Sequence, residues 1–276
     1  MCKNMKQMGI CMNKLSISNI AWNKQLDVQI YALMKEIGFN GLEIAPTRIF
    51  REMPYSRLME AATWAEELKK QYGFVISSMQ SIWFGRQEQI FGTEEEREVL
   101  LNYTKKAIDF AAVIECKNLV FGCPRNRSIP DEADSTIGTR FFKTIGDYAY
   151  SKGTVVGIEA NPKIYNTNYI NDTLAAFELI EQVNSKGFLL NLDLGTMLQN
   201  EESIDELKGK VKYINHVHIS EPGLKPIEER ILHKQLKELL DIEGYQGFVS
   251  IEMGENRDIS IIGNKLEYIR GVFIDI

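Results

Sequence analysis

Val211-Lys-Tyr-Ile-Asn-His-Val-His-Ile-Ser220 holds two of the three histidines of this 276-residue chain. The run alternates, with Tyr213, Asn215, Val217 and Ile219 on one face and Ile214, His216, His218 and Ser220 on the other. A period of two is a strand signal, and Glu221-Pro-Gly223 stops it. The strand therefore carries imidazoles to its C-terminal end and gives way to a loop. Neutral imidazole is a common metal ligand and a common acid–base group. A single histidine near a strand end is more often a satisfied structural one. Here three other strand-like runs also end on a carboxylate. They are Thr154-Val-Val-Gly-Ile-Glu159, Gly187-Phe-Leu-Leu-Asn-Leu-Asp193 and Gly247-Phe-Val-Ser-Ile-Glu252.

Outward from these runs, strands alternate with helices along the whole chain. Met8–Met12 is expected to form a first strand, with Ser16–Trp22 as an extension or loop, and Asp27 caps a helix that Gly38 ends. Further strands are expected at Phe39–Ala45, Phe74–Met79 and Lys117–Phe121. Helices are expected at 55–72, from Thr93 to about Ile114, up to about Tyr150, at 172–184, 228–242 and 260–272, with a short one at Ser203–Leu207. Thr93 followed by Glu96 is a capping-box match. Eight strands and about eight helices with no low-complexity linker predict a parallel sheet, and eight units favour closure into a single (β/α)8 TIM barrel spanning 1–276. No GxGxxG or GxxxxGK[ST] follows a strand, which speaks against a nucleotide-binding doubly wound sheet. In such a barrel the active site lies at the C-terminal strand ends, where all four candidate groups fall.

Composition narrows the function classes. The formal net charge of −6 speaks against sequence-independent binding of nucleic acid or of an anionic membrane. Cys2, Cys11, Cys116 and Cys123 show neither a CxxC pair nor zinc-finger spacing, so they read as reduced thiols of a cytoplasmic protein. No run approaches 18 apolar residues, and the N-terminus lacks a signal-peptide pattern. A homo-oligomer is compatible with all of this.

Glu159, Asp193, His218 and Glu252 supply one group from each of four successive strands. Adjacent strands lie ~4.8 Å apart, so the four ends can surround one divalent ion. Three converging carboxylates would otherwise repel one another. Mixed oxygen and nitrogen donors suit Mn²⁺, Mg²⁺, Co²⁺ or Zn²⁺ alike. Glu43 ends the second strand and is a candidate for a substrate hydroxyl or for a structural pair. Trp22, Trp83 and Phe84 fall in loops on the same face, as an apolar wall beside a ligand or as ordinary packing. Arg125 and Arg127 follow the fourth strand, as an anion clamp or as surface ion pairs. His216 lies one pleat deeper than His218, in the barrel interior, and His233 reads as structural within a helix.

Ile158-Glu-Ala-Asn-Pro162, Leu192-Asp-Leu-Gly195, His216-Val-His-Ile219 and Ser250-Ile-Glu252 resemble the metal motifs of the xylose-isomerase-like barrel superfamily, and within it the sugar-phosphate isomerase/epimerase group with its ketose 3-epimerases. The likeness runs through the whole chain in order, with softer matches at Gly38-Phe-Asn-Gly-Leu-Glu-Ile44 and Gly244-Tyr-Gln-Gly247. The resemblance implies that Glu159, Asp193, His218 and Glu252 bind one divalent metal, and that Glu159 and Glu252 trade a proton with a small sugar or sugar derivative. Where that group commonly carries a histidine three residues after the aspartate, contacting the sugar, this chain has Thr196, which can still hydrogen-bond but cannot act as a base near neutral pH. Alternatives on the same scaffold are a polyol dehydratase, a sugar-binding barrel without catalysis, and an apurinic endonuclease, the last opposed by the lack of any histidine before residue 216.

Overall fold

The computed structural model describes residues 14–274. Among them, eight parallel strands close a barrel in sequence order. They are β1 (Lys14–Ser18), β2 (Gly41–Ile44), β3 (Val75–Met79), β4 (Leu119–Phe121), β5 (Val156–Ile158), β6 (Phe188–Asp193), β7 (Ile214–Ser220) and β8 (Phe248–Glu252). Around them run α1 (Asp27–Ile37), α2 (Pro46–Ile49), α3 (Leu58–Tyr72), α4 (Glu94–Val113), α5 (Thr136–Ser151), α6 (Thr173–Val183), α7 (Leu194–Asn200), α8 (Ile231–Ile242) and α9 (Ile259–Phe273). The expected barrel is present. β1 pairs with β8 through Lys14–Ile17 and Phe248–Ile251, which completes the ring.

The apolar core lies between sheet and helices. Ile17, Leu42, Ile44, Phe121, Ile158, Leu192, Val217, Ile219, Val249 and Ile251 are buried there at alternating strand positions. The barrel interior is different. Ser16, Ser77, Ser78, Asn118, Asn191 and Ser250 are all buried, where bulky aliphatic residues usually fill such barrels. Ser16 and Ser77 share a 2.6 Å hydroxyl contact, and Asn118 Nδ2 donates to Ser78 Oγ and to Asn191 Oδ1. At the lower end Phe248 plugs the interior against Gly41, where an added Cβ would come within 2.5 Å of the ring.

Sequence and structure part at a few places. The expected first strand, Met8–Met12, lies outside the described residues. β1 is instead Lys14–Ser18, which runs into the stretch from Ser16 that reads as an extension or loop, and Asn19–Ala21 turns immediately after it. Its inward positions are Ser16 and Ser18, so the strand shows no continuous apolar run. α3 begins at Leu58, because Pro54 opens a separate turn at Pro54–Ser56. α4 starts as expected, with Thr93 Oγ1 and Glu96 closing a reciprocal cap. α7 has no counterpart in the sequence reading; Asp193 caps it by accepting the Thr196 N–H.

Candidate metal and acid–base site

The alternation of β7 aims His216, His218 and Ser220 inward, and the register stacks Asp193 beside His218 and Glu252 beside Ser220. His218 is fully buried and uses both ring nitrogens. Its Nε2 lies 2.9 Å from Glu43 Oε2. Its Nδ1 faces the strand ends, 3.2 Å from Glu159 Oε2, 3.2 Å from Glu252 Oε2 and 3.9 Å from Asp193 Oδ2. One ligand atom from each of Glu159, Asp193, His218 and Glu252 falls within 4.8 Å of the others. The three carboxylate side chains are 11–13% exposed, so the group opens to the mouth of the barrel.

Glu159 and Asp193 are held from behind. Asn191 and Asn161 donate to the two oxygens of Glu159 at 3.0 and 3.1 Å. Ser220 Oγ donates to Asp193 Oδ2 at 2.7 Å, and the Thr196 N–H to Oδ1 at 2.5 Å. Glu43 is the orienting carboxylate of His218. Its Oε2 is also 3.0 Å from His216 Nε2, and its Oε1 accepts from Gln80 Nε2 at 3.1 Å. A carboxylate on the far nitrogen of a metal-ligating histidine fixes tautomer and ring orientation. Glu43 thus sits below the mouth, as a structural partner and away from a substrate hydroxyl.

The electrostatics describe a cation-shaped deficit. Burial pushes Glu252 up to about 7, with Glu159 and Asp193 adding repulsion. Burial and the Glu159 charge push Asp193 up to about 6. Burial alone would raise Glu43, but the His218 and His216 rings hold it well below the usual carboxylate range. Burial works against a charged His218, yet Glu43 and Glu252 outweigh it and hold the imidazolium well above its ordinary value. Once His218 is neutral with its Nε2–H given to Glu43, Nδ1 and three carboxylate oxygens are acceptors facing one another. These residues could hold a divalent metal ion, since a cation satisfies all four donors at once.

A pH dependence follows. In chelator-treated protein, Glu252 and Asp193 keep protons in the folded state that the unfolded chain has released, and His218 joins them only above its ordinary value, beyond this interval. Stability should therefore fall as pH rises from about 5 to about 7, by about 1.4 kcal/mol per pH unit for each proton concerned, or roughly 3–6 °C in thermal midpoint. Proton and ion compete for the same atoms, so the midpoint gained on adding Mn²⁺ should grow across the same interval. Thermal melts at four pH values, with chelator and with Mn²⁺, measure both slopes. A flat chelated profile would remove the coupled carboxylate group.

Other candidates from the sequence are placed elsewhere. Trp22 is fully buried, donates Nε1–H to Asp27 and lies under Arg48, so it has no face to offer a sugar. Trp83 is likewise buried, on Thr104, whereas Phe84 is exposed. Arg127 is a correction to both readings of the sequence. It is fully buried, and its guanidinium donates to Glu159 O at 2.8 Å, Asn161 Oδ1 at 2.9 Å and Ile170 O at 3.3 Å. It pins the β5–α6 loop and has no fork left for an anion. Arg127→Ala should therefore cost ~3 kcal/mol or more, because it strands buried acceptors. The thermal midpoint should drop by roughly 6–12 °C, and a loss below one degree would contradict this role. Arg125 is exposed. Thr196 is buried, and its hydroxyl donates to Ala160 O at 2.8 Å. His233 is structural, with Nδ1 2.9 Å from Tyr268 Oη.

Residues 31–271 match the protein family described as xylose isomerase-like TIM barrel. The chain belongs to the xylose isomerase-like TIM barrel family. In fold this xylose isomerase-like barrel is similar to a 3-keto-D-glucoside 4-epimerase from E. coli, at a TM-score of 0.75 and 20% identity over 94% of this chain and 99% of that one. It is similar to a D-psicose 3-epimerase crystallised in the presence of D-fructose, at 0.75 and 17% over 94% and 99%. An AP endonuclease, family 2, from Brucella melitensis matches at 0.71 and 18% over 91% and 96%. No curated protein matches the chain. At these identities the structural likeness is one of fold.

Beyond the residues singled out in the sequence, the barrel adds Asn191, Asn161 and Gln80, which hold the acidic groups, and Tyr165 above them. Asn191 was findable: it lies two residues before Asp193, on the same face of β6. Asn161 and Tyr165 sit in a loop whose path no periodicity encodes.

Proposed function

We propose that this protein is a divalent-metal-dependent epimerase or isomerase of a neutral sugar or sugar derivative, with Glu159 and Glu252 as its acid–base pair. One observation carries the reading. Two glutamates, one directly after β5 and one ending β8, approach His218 Nδ1 equally, at 3.2 Å. Similarity in fold to a keto-glucoside epimerase and a ketose epimerase supports it.

The bound ion would supply positive charge that polarises a carbonyl oxygen and offsets the three carboxylates. Glu159 is held by Asn191 and Asn161 so that its oxygens keep one orientation. Glu252 ends β8 at the mouth of the barrel, beside His218 Nδ1, where it can exchange a proton with a bound substrate. One glutamate takes the proton from the carbon next to the carbonyl, and the other returns it on the opposite face. Both terminal nitrogens of Arg127 are committed to the protein, which favours a substrate without phosphate. A DNA-cleaving role lacks the means: Ser18, Glu43, Gln80 and Gly122 lie at or beside the C-terminal ends of β1–β4, with no histidine, and the chain is acidic.

The test is proton NMR of neutral ketoses and keto-glycosides in D₂O with Mn²⁺-loaded protein. Solvent deuterium should enter the carbon next to the carbonyl. Conversion without incorporation would indicate hydride transfer and end the two-glutamate relay.

A further inference from the structure

The mouth above the carboxylates is stitched on one side. The β5–α6 loop is fixed at its base by Arg127, by Asn161 N–H to Ile170 O and by Asn171 Nδ2 to Asn161 O. Its tip is a turn at Lys163–Tyr165, closed by Asn166 with a φ of 58°. From this tip Tyr165 reaches the β7–α8 loop, where its Oη accepts the Gly223 N–H at 3.1 Å. The β7–α8 loop is tied onward by Gly254 N–H to Leu224 O at 2.8 Å, and the segment after β8 by Asn256 N–H to Ala21 O at 2.8 Å. The rim is thus continuous from β5 through β7 and β8 to β1.

Tyr165 differs from the other ties in what it leaves over. Gly223 fills a lone pair of the phenol oxygen, and among the described residues nothing accepts the phenol proton. The ring is about a third exposed, so it stands at the opening. Burial raises the phenol pKa, and after a lowering contribution from Gly223 the charges of Asp193, Glu252 and Glu159 raise it further. The ring bridges the loops after β5 and β7, and so crosses the end of β6 that carries Asp193. Gly223 is what lets the amide point this way. Its φ is 72°, a backbone conformation that side-chain-bearing residues rarely adopt.

We propose that Tyr165 is a specificity-determining residue: held by the Gly223 amide, its phenol donates a hydrogen bond to a neutral substrate oxygen lying over the three carboxylates. The inference rests on the epimerase reading, and it deepens that reading by assigning a substrate contact. Buried Thr196 has already given its hydroxyl proton to Ala160, and Arg127 is committed to the loop. Tyr165 therefore still has a proton to offer on this side of the rim. A phenol favours a hydroxyl or carbonyl oxygen over phosphate, for which a cation is the usual partner.

The experiment compares wild type with Tyr165→Phe, in metal-loaded protein, by two readouts. The first is hydrogen exchange at the Gly223 amide without sugar. It should quicken at least severalfold in the variant, since its acceptor is gone. The second is KM and kcat for whichever neutral ketose takes up deuterium. KM should rise roughly threefold to tenfold, with metal content unchanged and kcat within about twofold. An unchanged Gly223 exchange rate, or an unchanged KM, overturns the proposal. If wild type turns over no sugar, the epimerase reading fails separately, and the amide exchange decides the Tyr165–Gly223 bond on its own.

Discussion

Glu252→Gln is expected to cut deuterium exchange into the substrate by ~10²-fold or more, and Glu159→Gln by a similar factor. The two substitutions test the same relay with different side effects. Glu252 has His218 Nδ1 as its close polar neighbour, so a glutamine there keeps an oxygen for the ion and removes only the base. Glu159 accepts from Asn191 and from Asn161 on its two oxygens. A glutamine must turn its NH2 toward one of these donors, and some loss of stability should accompany the loss of exchange. Metal content measured alongside separates chemistry from binding. If both variants keep their metal and still exchange, another group is the base. If one variant keeps both exchange and interconversion of the epimers, the other glutamate carries both proton transfers.

Much of this arrangement was legible in the chain because two periodicities agreed. The alternation in β7 placed His216, His218 and Ser220 on one face, and the strand–loop punctuation put Glu159, Asp193 and Glu252 at equivalent ends. What escaped did so for physical reasons. β1 was hidden because its inward residues are serines that serve a polar interior, so its pattern resembles a loop. α7 is short and is started by Asp193, a residue that was already a candidate ligand. Trp22 and Arg127 have the right chemistry for a ligand wall and an anion clamp, but burial is a tertiary property. Only the fold shows that Asp27 and Arg48 enclose the indole and that the β5–α6 loop consumes the guanidinium. Glu43 was placed at its strand end correctly, while its bond to His218 Nε2 depends on a contact across 175 residues.

Asp193→Ala and His218→Ala should each abolish stoichiometric metal binding, with Glu43→Gln lying between them and wild type. The ranking follows from distance to the ion. Asp193 and His218 would each remove a donor atom from a group of four. Loss of the His218 ring also leaves Glu43 buried and charged with only His216 and Gln80 to answer it, so that variant should be less stable as well. Glu43→Gln keeps all four donors but presents a weaker acceptor to His218 Nε2. Such partners typically contribute 10–100-fold in metal affinity. Elemental analysis after dialysis reads the first two variants, and competition titration with Mn²⁺ reads the third. Full occupancy in both alanine variants would show that the four groups are an acidic cluster and no metal site. Equal affinity of Glu43→Gln and wild type would show that barrel packing alone holds the His218 ring, and that the buried Glu43–His216 pair serves the interior rather than the ion.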